Sequence, residues 1–255
     1  MMYRSWSIRE IEDVKPNGCT VFSVFSCGGG SSMGYKLAGY DVIGHCDIDK
    51  PIAEMYMKNN HPLYSFNMDI RDFLLLKDLP EELFNLDILD GSPPCSVFSI
   101  AGKREDDWGR AKRFREGQKK QTLDDLFFKY IELLNRLQPK IFVAENVKGL
   151  ISGNAKGYVA EIIREVSKAG YDVQMFCLNS AVMGIPQRRE RVFFIGHKKE
   201  LGYKKLKLNF HEAPILFREV REEGGRRPSK LTCSLLQEKR RTDRKLSDIN
   251  KRIYG

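Results

Sequence analysis

The sequence predicts an α/β fold built on a doubly wound, mostly parallel sheet. The chain has 255 residues with 42% hydrophobic content, which is enough to bury a sizeable core. Short apolar runs alternate with longer amphipathic segments, the pattern of strands covered by helices. No apolar stretch approaches the ~18 residues that a membrane-spanning helix needs, so we expect no membrane partner.

The apolar runs predict six strands and the amphipathic segments predict four helices. The strands are expected at Thr20 to Phe25, Asp41 to His45, Leu86 to Asp90, Ile141 to Glu145, Asp172 to Leu178 and Arg191 to Gly196. A further short strand is expected before Asp69. The helices are expected at Ser31 to Ala38, Pro51 to Asn59, Thr122 to Leu137 and Tyr158 to Ala169. Pro139 and Gly170 should end the last two helices.

The net charge of +9 is unevenly distributed. Residues 1–197 hold 26 basic and 26 acidic side chains, whereas residues 198–255 hold 17 and 8. Residues 103–121 carry a second excess, with eight bases and four acids. Such segments suit a polyanion such as nucleic acid, with solvated surface as the alternative. Because the strand pattern also fades after Gly196, we expect one domain over residues 1–197 and a basic tail over residues 198–255.

The six cysteines are too few for a disulfide scaffold and include no C-x-x-C pair. Cys19, Cys46 and Cys177 lie in or beside predicted strands, where burial as small apolar side chains is expected. The four histidines form no ligand cluster, so no metal is expected. The N-terminal residues include acids where a secretory signal needs an apolar core, which predicts a cytoplasmic protein.

The first predicted strand leads into Phe25-Ser26-Cys27-Gly28-Gly29-Gly30 and then into a helix. Glycines at such a turn permit positive φ and let backbone amides approach a ligand closely, which favours a nucleotide-type site. The segment is neither a P-loop nor a G-x-G-x-x-G turn, since Met33 stands where the last glycine belongs. A tight turn without a ligand is the alternative.

Two acids follow the next strands. Asp47 lies 19 residues after Gly28, where a carboxylate can accept hydrogen bonds from both ribose hydroxyls. Asp69 is a candidate acceptor for the exocyclic amine of an adenine, and Phe25 and Ile48 are candidates to flank the ring. Asp49 precedes Lys50-Pro51 and is expected to cap a helix instead.

Three further elements suggest chemistry. Cys95 follows a strand and two prolines, so a stiff loop presents it as a candidate nucleophile, with a buried thiol as the alternative. Glu145 ends a buried strand, where a carboxylate is costly unless it is hydrogen-bonded or functional. Arg189 and Arg191 share one face of an extended segment and can converge on one target. A surface ladder of salt bridges is the alternative for the arginines.

Four segments, taken in order, resemble the DNA (cytosine-5)-methyltransferase family. They are VFSVFSCGGG, DILDGSPPCSVFSIAGKRE, FVAENVKGL and GIPQRRERVFFIG, within residues 20–196. The resemblance implies a Rossmann-like fold of the S-adenosylmethionine-dependent type. The cofactor residues that it implies are Phe25, Gly28, Gly29, Gly30, Asp47, Ile48, Asp69, Ile70, Pro93 and Leu126.

The resemblance also implies the chemistry. Cys95 would add to carbon-6 of a cytosine flipped out of double-stranded DNA, while Glu145 protonates ring nitrogen-3. Arg189 and Arg191 would hold the base carbonyl and orient Glu145. Residues 103–121 take the place of the family's mobile loop, with Trp108 and Phe114 as wedge or packing residues. The simplest cellular setting is a restriction-modification system, near the nucleoid of a bacterium.

Full-length family members continue with a target-recognition domain and a closing Gly-Asn-bearing segment, and residues 198–255 resemble neither. We therefore expect the tail to be the beginning of a recognition region cut short. The chain would then be a fragment, a truncated gene product, or one half of a split enzyme whose second polypeptide carries the missing region. Cys27 and Ser96 also depart from the usual glycine and glutamine. An RNA-directed (tRNA) relative and a non-enzymatic scaffold or regulatory homologue remain as alternatives, whereas an oxidoreductase would leave these motifs without a role.

Overall fold

A computed structural model describes residues 8–94, 125–151 and 156–220. It divides the chain into two units, residues 4–214 and residues 1–3 with 215–255. In the smaller unit the described residues are 215–220, which include a short helix, Phe217–Val220. The expected domain boundary near residue 198 stays a prediction.

The larger unit is built on one seven-stranded sheet. Its strands, β1 to β7 in chain order, are Thr20–Val24, Asp41–Cys46, Tyr64–Phe66, Ile88–Gly91, Ile141–Val147, Tyr171–Asn179 and Glu190–Lys198. They lie in the order β3-β2-β1-β4-β5-β7-β6. Among the described strands, β7 alone runs opposite to the other six, so its pairings with β5 and β6 are both antiparallel. The predicted mostly parallel sheet is therefore confirmed.

Five helices accompany the sheet in the described part of this unit. In chain order, α1 to α5 are Gly30–Leu37, Lys50–Asn60, Ile70–Leu75, Leu126–Leu137 and Lys156–Lys168. Four of them match predicted helices. The start predicted for α4 falls at residues 122–124, which lie outside the described residues. The sequence did not predict α3, because six residues are too few to display a helical period.

Helices cover both faces of the sheet, as a doubly wound fold requires. Phe22 and Val24 of β1 belong to the main core, which also contains buried side chains of α3, α4 and α5. Val21, which points to the other face, belongs to a smaller cluster with Val42 and Ile88, against which Tyr35 of α1 packs. The alternation of β1 therefore supplies apolar contacts on both sides, and its carboxyl end is held at the centre of the sheet.

The exposure of the cysteines in or beside strands depends on where the strand lies in the sheet. Cys46, at the end of the inner strand β2, is buried, and Cys19, which precedes β1, is half-buried. The prediction that Cys177 is buried is wrong, since this residue is exposed. Its strand, β6, is the edge strand of the sheet, so it has a neighbouring strand on one side alone.

A return segment, residues 202–212, follows β7. Leu206 exchanges two hydrogen bonds with the side-chain amide of Gln174 on β6, at 2.6 and 3.1 Å. Further along, the backbone N–H of Glu212 donates to the carbonyl oxygen of Val182, just past the end of β6. The return segment therefore runs along β6 from one end of that strand to the other.

Candidate active site

The loop after β1 is an unusual run of backbone. Phe25, Cys27 and Gly29 all have φ in the left-handed region, at 52°, 46° and 83°. A Cβ atom at Gly29 would lie 2.3 Å from Nδ2 of Asn60 and 2.9 Å from ring atoms of Tyr56, both on α2. Gly29 is therefore required both by its conformation and by its close packing. This is the strand-to-helix turn that the glycines predict.

Asp47, at the end of β2, holds this loop. Its Oδ2 atom accepts the backbone N–H of Cys27 at 2.8 Å, and its Oδ1 atom accepts that of Asp49 at 2.9 Å. Burial raises the pKa of Asp47, and the backbone hydrogen bonds oppose that rise. Each carboxylate oxygen has two lone pairs, so acceptor capacity remains for the hydroxyls of a ligand.

An open pocket of about 370 Å³ lies over the ends of β1 and β2. Six of its lining residues are predicted cofactor residues, namely Phe25, Asp47, Ile48, Asp69, Ile70 and Leu126. The other four predicted residues, Gly28, Gly29, Gly30 and Pro93, are not among its lining residues. The lining also includes four residues that sequence reasoning did not select, Val24, Cys46, Met68 and Pro94. Val24 and Cys46 look like ordinary core positions because each is the last residue of an apolar strand.

Two acids near the pocket begin helices. Asp49 caps α2, as predicted, and accepts the backbone N–H of Ile52. Asp69 caps α3 and pairs with the guanidinium group of Arg71 at 3.1 Å. Arg71 also pairs with Asp125. Asp69 therefore lines the pocket with its carboxylate already engaged, which the sequence did not indicate.

Cys95 lies outside the described residues, but the start of its loop is well fixed. The backbone N–H of Ser92 donates to the carbonyl oxygen of Val24 at 3.3 Å. The side-chain amide of buried Asn146 donates to the carbonyl oxygen of Pro93 at 3.1 Å. The chain is therefore held between β1 and the end of β5 just before it reaches Cys95.

Glu145 and Arg191 form an ion pair at the same edge of the sheet. Nε of Arg191 lies 2.8 Å from Oε1 of Glu145, and both side chains are half-buried. Register explains the pair, because Arg191 lies opposite Val147, two residues along β5 on the same face as Glu145. Burial raises the pKa of Glu145, while the charges of Arg191 and Arg189 oppose the rise.

The two predicted arginines play different parts in the geometry. Arg191 contacts Glu145, whereas Arg189 precedes β7, is exposed, and acts on Glu145 through its charge. Glu190 pairs instead with Lys148 at 2.9 Å. Of the two arginines expected to converge on one target, Arg191 contacts Glu145 and Arg189 acts on it from a longer distance through its charge.

Sequence reasoning missed two buried polar residues at this edge. Asn146 anchors the cysteine loop, and Asp90 accepts hydrogen bonds from the hydroxyls of Ser23 and Ser31. Both stand at the ends of apolar strands, which is the signal that could have identified them.

The described residues contain no group of three or more histidine, cysteine or acidic side chains that could hold a metal ion. None of the helices within residues 8–94, 125–151 and 156–220 combines the length and apolar character needed to cross a membrane.

The seven-stranded sheet and its helices define a protein of the Rossmann-like α/β class. Residues 19–251 match the family of C-5 cytosine-specific DNA methylases, and the chain belongs to that family. A solved structure of a DNA modification methyltransferase encoded within an Escherichia coli prophage superposes with a TM-score of 0.62 at 24% identity. The match covers 79% of this chain and 54% of that one, and it supports the fold.

Curated relatives agree with this assignment. The type II methyltransferase M.FnuDI of Fusobacterium nucleatum is 38% identical over 182 residues, which is 71% of this chain and 48% of the relative. M.NgoPII of Neisseria gonorrhoeae is 34% identical over 188 residues, which is 74% of this chain and 50% of the relative. The chain thus spans about half the length of the curated relatives it matches.

Proposed function

We propose that this chain is the catalytic part of a DNA (cytosine-5)-methyltransferase, which methylates carbon-5 of a cytosine flipped out of double-stranded DNA. The observation that carries the proposal is the Glu145–Arg191 pair. It lies at the edge of the sheet that also carries the pocket, beside the anchored loop that leads to Cys95. Family membership supplies the reaction type, and this arrangement supplies residues suited to it.

The pocket suits S-adenosylmethionine, which supplies an electrophilic methyl group on a positively charged sulfur. Asp47 would accept the ribose hydroxyls, and Asp69 would accept the adenine amine beside Arg71. Phe25 and Ile48 would flank the ring, with Ile70 and Leu126 completing the apolar wall. We propose Gly28, Gly29, Gly30 and Pro93 as contacts from the loops that flank the pocket.

The bond-making steps belong to Cys95 and Glu145. The Cys95 thiolate forms a bond to carbon-6 while the Glu145 carboxyl donates its proton to nitrogen-3, which makes carbon-5 electron-rich. Carbon-5 would then take the methyl group as the bond between that methyl and the cofactor sulfur breaks, which would leave S-adenosylhomocysteine. Carbon-5 would give its own proton to a base such as water. The bond from Cys95 to carbon-6 breaks as that proton leaves, and Glu145 recovers the proton from nitrogen-3.

The raised pKa of Glu145 supports its role as a proton donor. Burial favours its neutral form, and Arg191 fixes the position of its carboxyl group. The exposed guanidinium group of Arg189 is available to hold the base carbonyl. The two arginines therefore divide orientation and base binding between them.

We propose double-stranded DNA as the substrate and a bacterial restriction-modification system as the setting, since M.FnuDI and M.NgoPII are named type II methyltransferases. Location would be cytoplasmic, near the nucleoid. The recognition region would come from sequence beyond the matched half or from a second polypeptide. The basic surplus of residues 198–255 would contribute phosphate contacts.

Trapping of Cys95 tests the proposal. The purified chain is mixed with S-adenosylmethionine and a random-sequence duplex in which 5-fluorocytosine replaces cytosine, because fluorine at carbon-5 prevents release of the enzyme. We expect a cofactor-dependent protein–DNA adduct that maps to Cys95 by mass spectrometry. Cys95→Ala should abolish it, whereas Cys177→Ala, which removes an exposed cysteine from β6, should leave it unchanged.

Two results would contradict the proposal. Normal S-adenosylmethionine binding without any adduct, also when the recognition region is supplied, would indicate a non-catalytic scaffold. Transfer of labelled methyl to tRNA but not to duplex DNA would assign the chain to RNA instead.

A further inference from the structure

Asp90 of β4 is a buried carboxylate to which the reaction above gives no role. Its Oδ2 atom accepts hydrogen bonds from the hydroxyls of Ser23 on β1, at 2.8 Å, and of Ser31 in the first turn of α1, at 2.7 Å. The hydroxyl of Tyr35 lies 3.4 Å from Oδ1. Asp90 is 5% exposed. It therefore joins β4 to both β1 and the helix that follows the glycine loop.

No basic side chain in the described part of the chain offsets the charge of this group. Among the described residues, no lysine, arginine or histidine pairs with Asp90. Burial raises the pKa of Asp90, and the hydroxyl hydrogen bonds oppose that rise. Neutral hydroxyl donors stabilise a carboxylate without cancelling its charge, and an uncompensated buried charge costs several kcal/mol. A cation bound close to Asp90 would therefore offset its charge.

The sheet order places Asp90 between the two halves of the site. The pocket lies over β1 and β2, Glu145 is on β5, and β4 lies between β1 and β5. In the register, Asp90 is opposite Ser23 on one side and Val143 on the other. A group that reaches from the pocket towards Glu145 therefore passes the end of β4, the strand that carries Asp90.

We propose that Asp90 is an electrostatic positioning residue that makes the site prefer a cationic sulfonium ligand over the neutral thioether left after methyl transfer. This inference rests on the proposed function. The negative charge of Asp90 attracts the sulfonium of S-adenosylmethionine and has no such effect on S-adenosylhomocysteine, which is otherwise nearly identical. The preference promotes binding of the donor and release of the product.

A purely structural role for Asp90 predicts a different result. The hydrogen bonds to Ser23 and Ser31 require an acceptor oxygen, and the side-chain oxygen of asparagine also provides one. If Asp90 merely anchors α1, its loss should weaken both ligands alike. If the charge of Asp90 is what matters, its loss should lower the affinity for S-adenosylmethionine more than the affinity for S-adenosylhomocysteine.

The test is calorimetric titration of the full chain with S-adenosylmethionine and, separately, with S-adenosylhomocysteine. For Asp90→Asn we expect the affinity for S-adenosylmethionine to fall on the order of tenfold, while that for S-adenosylhomocysteine changes less than about twofold. The matched control is Asp87→Asn. Asp87 belongs to the same chain segment but bonds Thr20 and pairs with Lys140 at the opposite edge of the sheet. The control should keep the wild-type affinity ratio.

Equal losses for both ligands, or no change in their ratio, would overturn the inference. Failure of the wild-type chain to bind either ligand would instead count against the proposed function. Ser23→Ala provides a second measurement should Asp90→Asn not fold, because loss of one donor favours protonation of the carboxyl group. It should narrow the preference for S-adenosylmethionine, and an unchanged ratio would again contradict the inference.

Discussion

At the residue scale, Asp47 serves two tasks with one carboxylate. It fixes the left-handed Cys27 by accepting its N–H, and it lines the pocket over β1 and β2. A neighbouring acid, Asp49, uses its carboxylate to cap α2. These two acids therefore allow the effect of the pocket carboxylate to be separated from a general loss of charge.

We expect Asp47→Ala to weaken S-adenosylmethionine binding about tenfold or more, since each charged hydrogen bond contributes ~1.5–3 kcal/mol. Calorimetric titration measures the affinity. Asp49→Ala should lower stability by about 1 kcal/mol through loss of the helix cap and leave the affinity unchanged. An Asp47→Ala variant with wild-type affinity would exclude this carboxylate from the site.

The sequence predicted Asp47 and Glu145 because each follows an apolar strand, where a charged side chain stands out. It did not predict the role of Asp90, although this residue also ends a strand. The partners of Asp90 are Ser23 and Ser31, 67 and 59 residues away in the chain. A local pattern does not reveal which distant hydroxyls will surround a carboxylate.

At the element scale, β2, β3 and the glycine loop are joined by a buried histidine. Nδ1 of His45 lies 2.9 Å from the hydroxyl of Ser26, and Nε2 lies 2.8 Å from that of Ser65. The ring stacks on Tyr56 of α2 with centroids 3.8 Å apart. Burial lowers the pKa of His45 to about 4, so the neutral ring is the form that the fold selects.

This selection predicts how stability depends on pH. The unfolded chain binds a proton at His45 near pH 6.5, whereas the folded chain does so near pH 4. The stability that the neutral His45 ring contributes to the folded state is complete above pH 6.5 and is lost as the pH falls towards 4. Between pH 7 and 5, the wild type should lose up to about 2 kcal/mol more unfolding free energy than His45→Gln.

Urea denaturation at both pH values measures this difference. His61→Gln, which alters an exposed histidine, should retain the wild-type pH dependence. The same pH dependence in His45→Gln would show that His45 is not the titrating group.

Most strands and four helices were predictable because each carries its own apolar period. The direction of β7 was not, since an antiparallel strand has the same apolar run as a parallel one. That direction matters for the site, because it brings the start of β7, with Arg191, to the end of β5, with Glu145.

At the scale of the whole molecule, charge is separated along the chain. Residues 1–197 are balanced, and the surplus lies in residues 198–255. Under the proposed function, DNA is the polyanion that such a surplus would meet. Composition predicts this attraction without any structural detail, whereas the recognised base sequence depends on side-chain geometry that composition does not encode.

We expect the logarithm of DNA affinity to fall linearly with the logarithm of salt concentration. Replacing Arg226 and Arg227 with glutamine should reduce the slope by about 0.9 for each phosphate that the protein no longer neutralises. Fluorescence anisotropy with a labelled duplex measures the slope. Lys58→Gln with Lys77→Gln removes the same charge from exposed positions in the balanced part and should leave the slope unchanged.

The return segment is a place where the protein should tolerate inserted residues. β7 leaves the sheet at Lys198, on the side remote from Glu145, and residues 202–212 bring the backbone up again to Val182. Between these ends, Gln174 holds Leu206 through two side-chain hydrogen bonds, and the ring of Tyr203 lies 5.4 Å from that of His197. Extra residues inserted beside Leu206 would bulge into solvent and leave both ends in place. Changes in the length of the return segment should therefore leave the position of Glu145 unaffected.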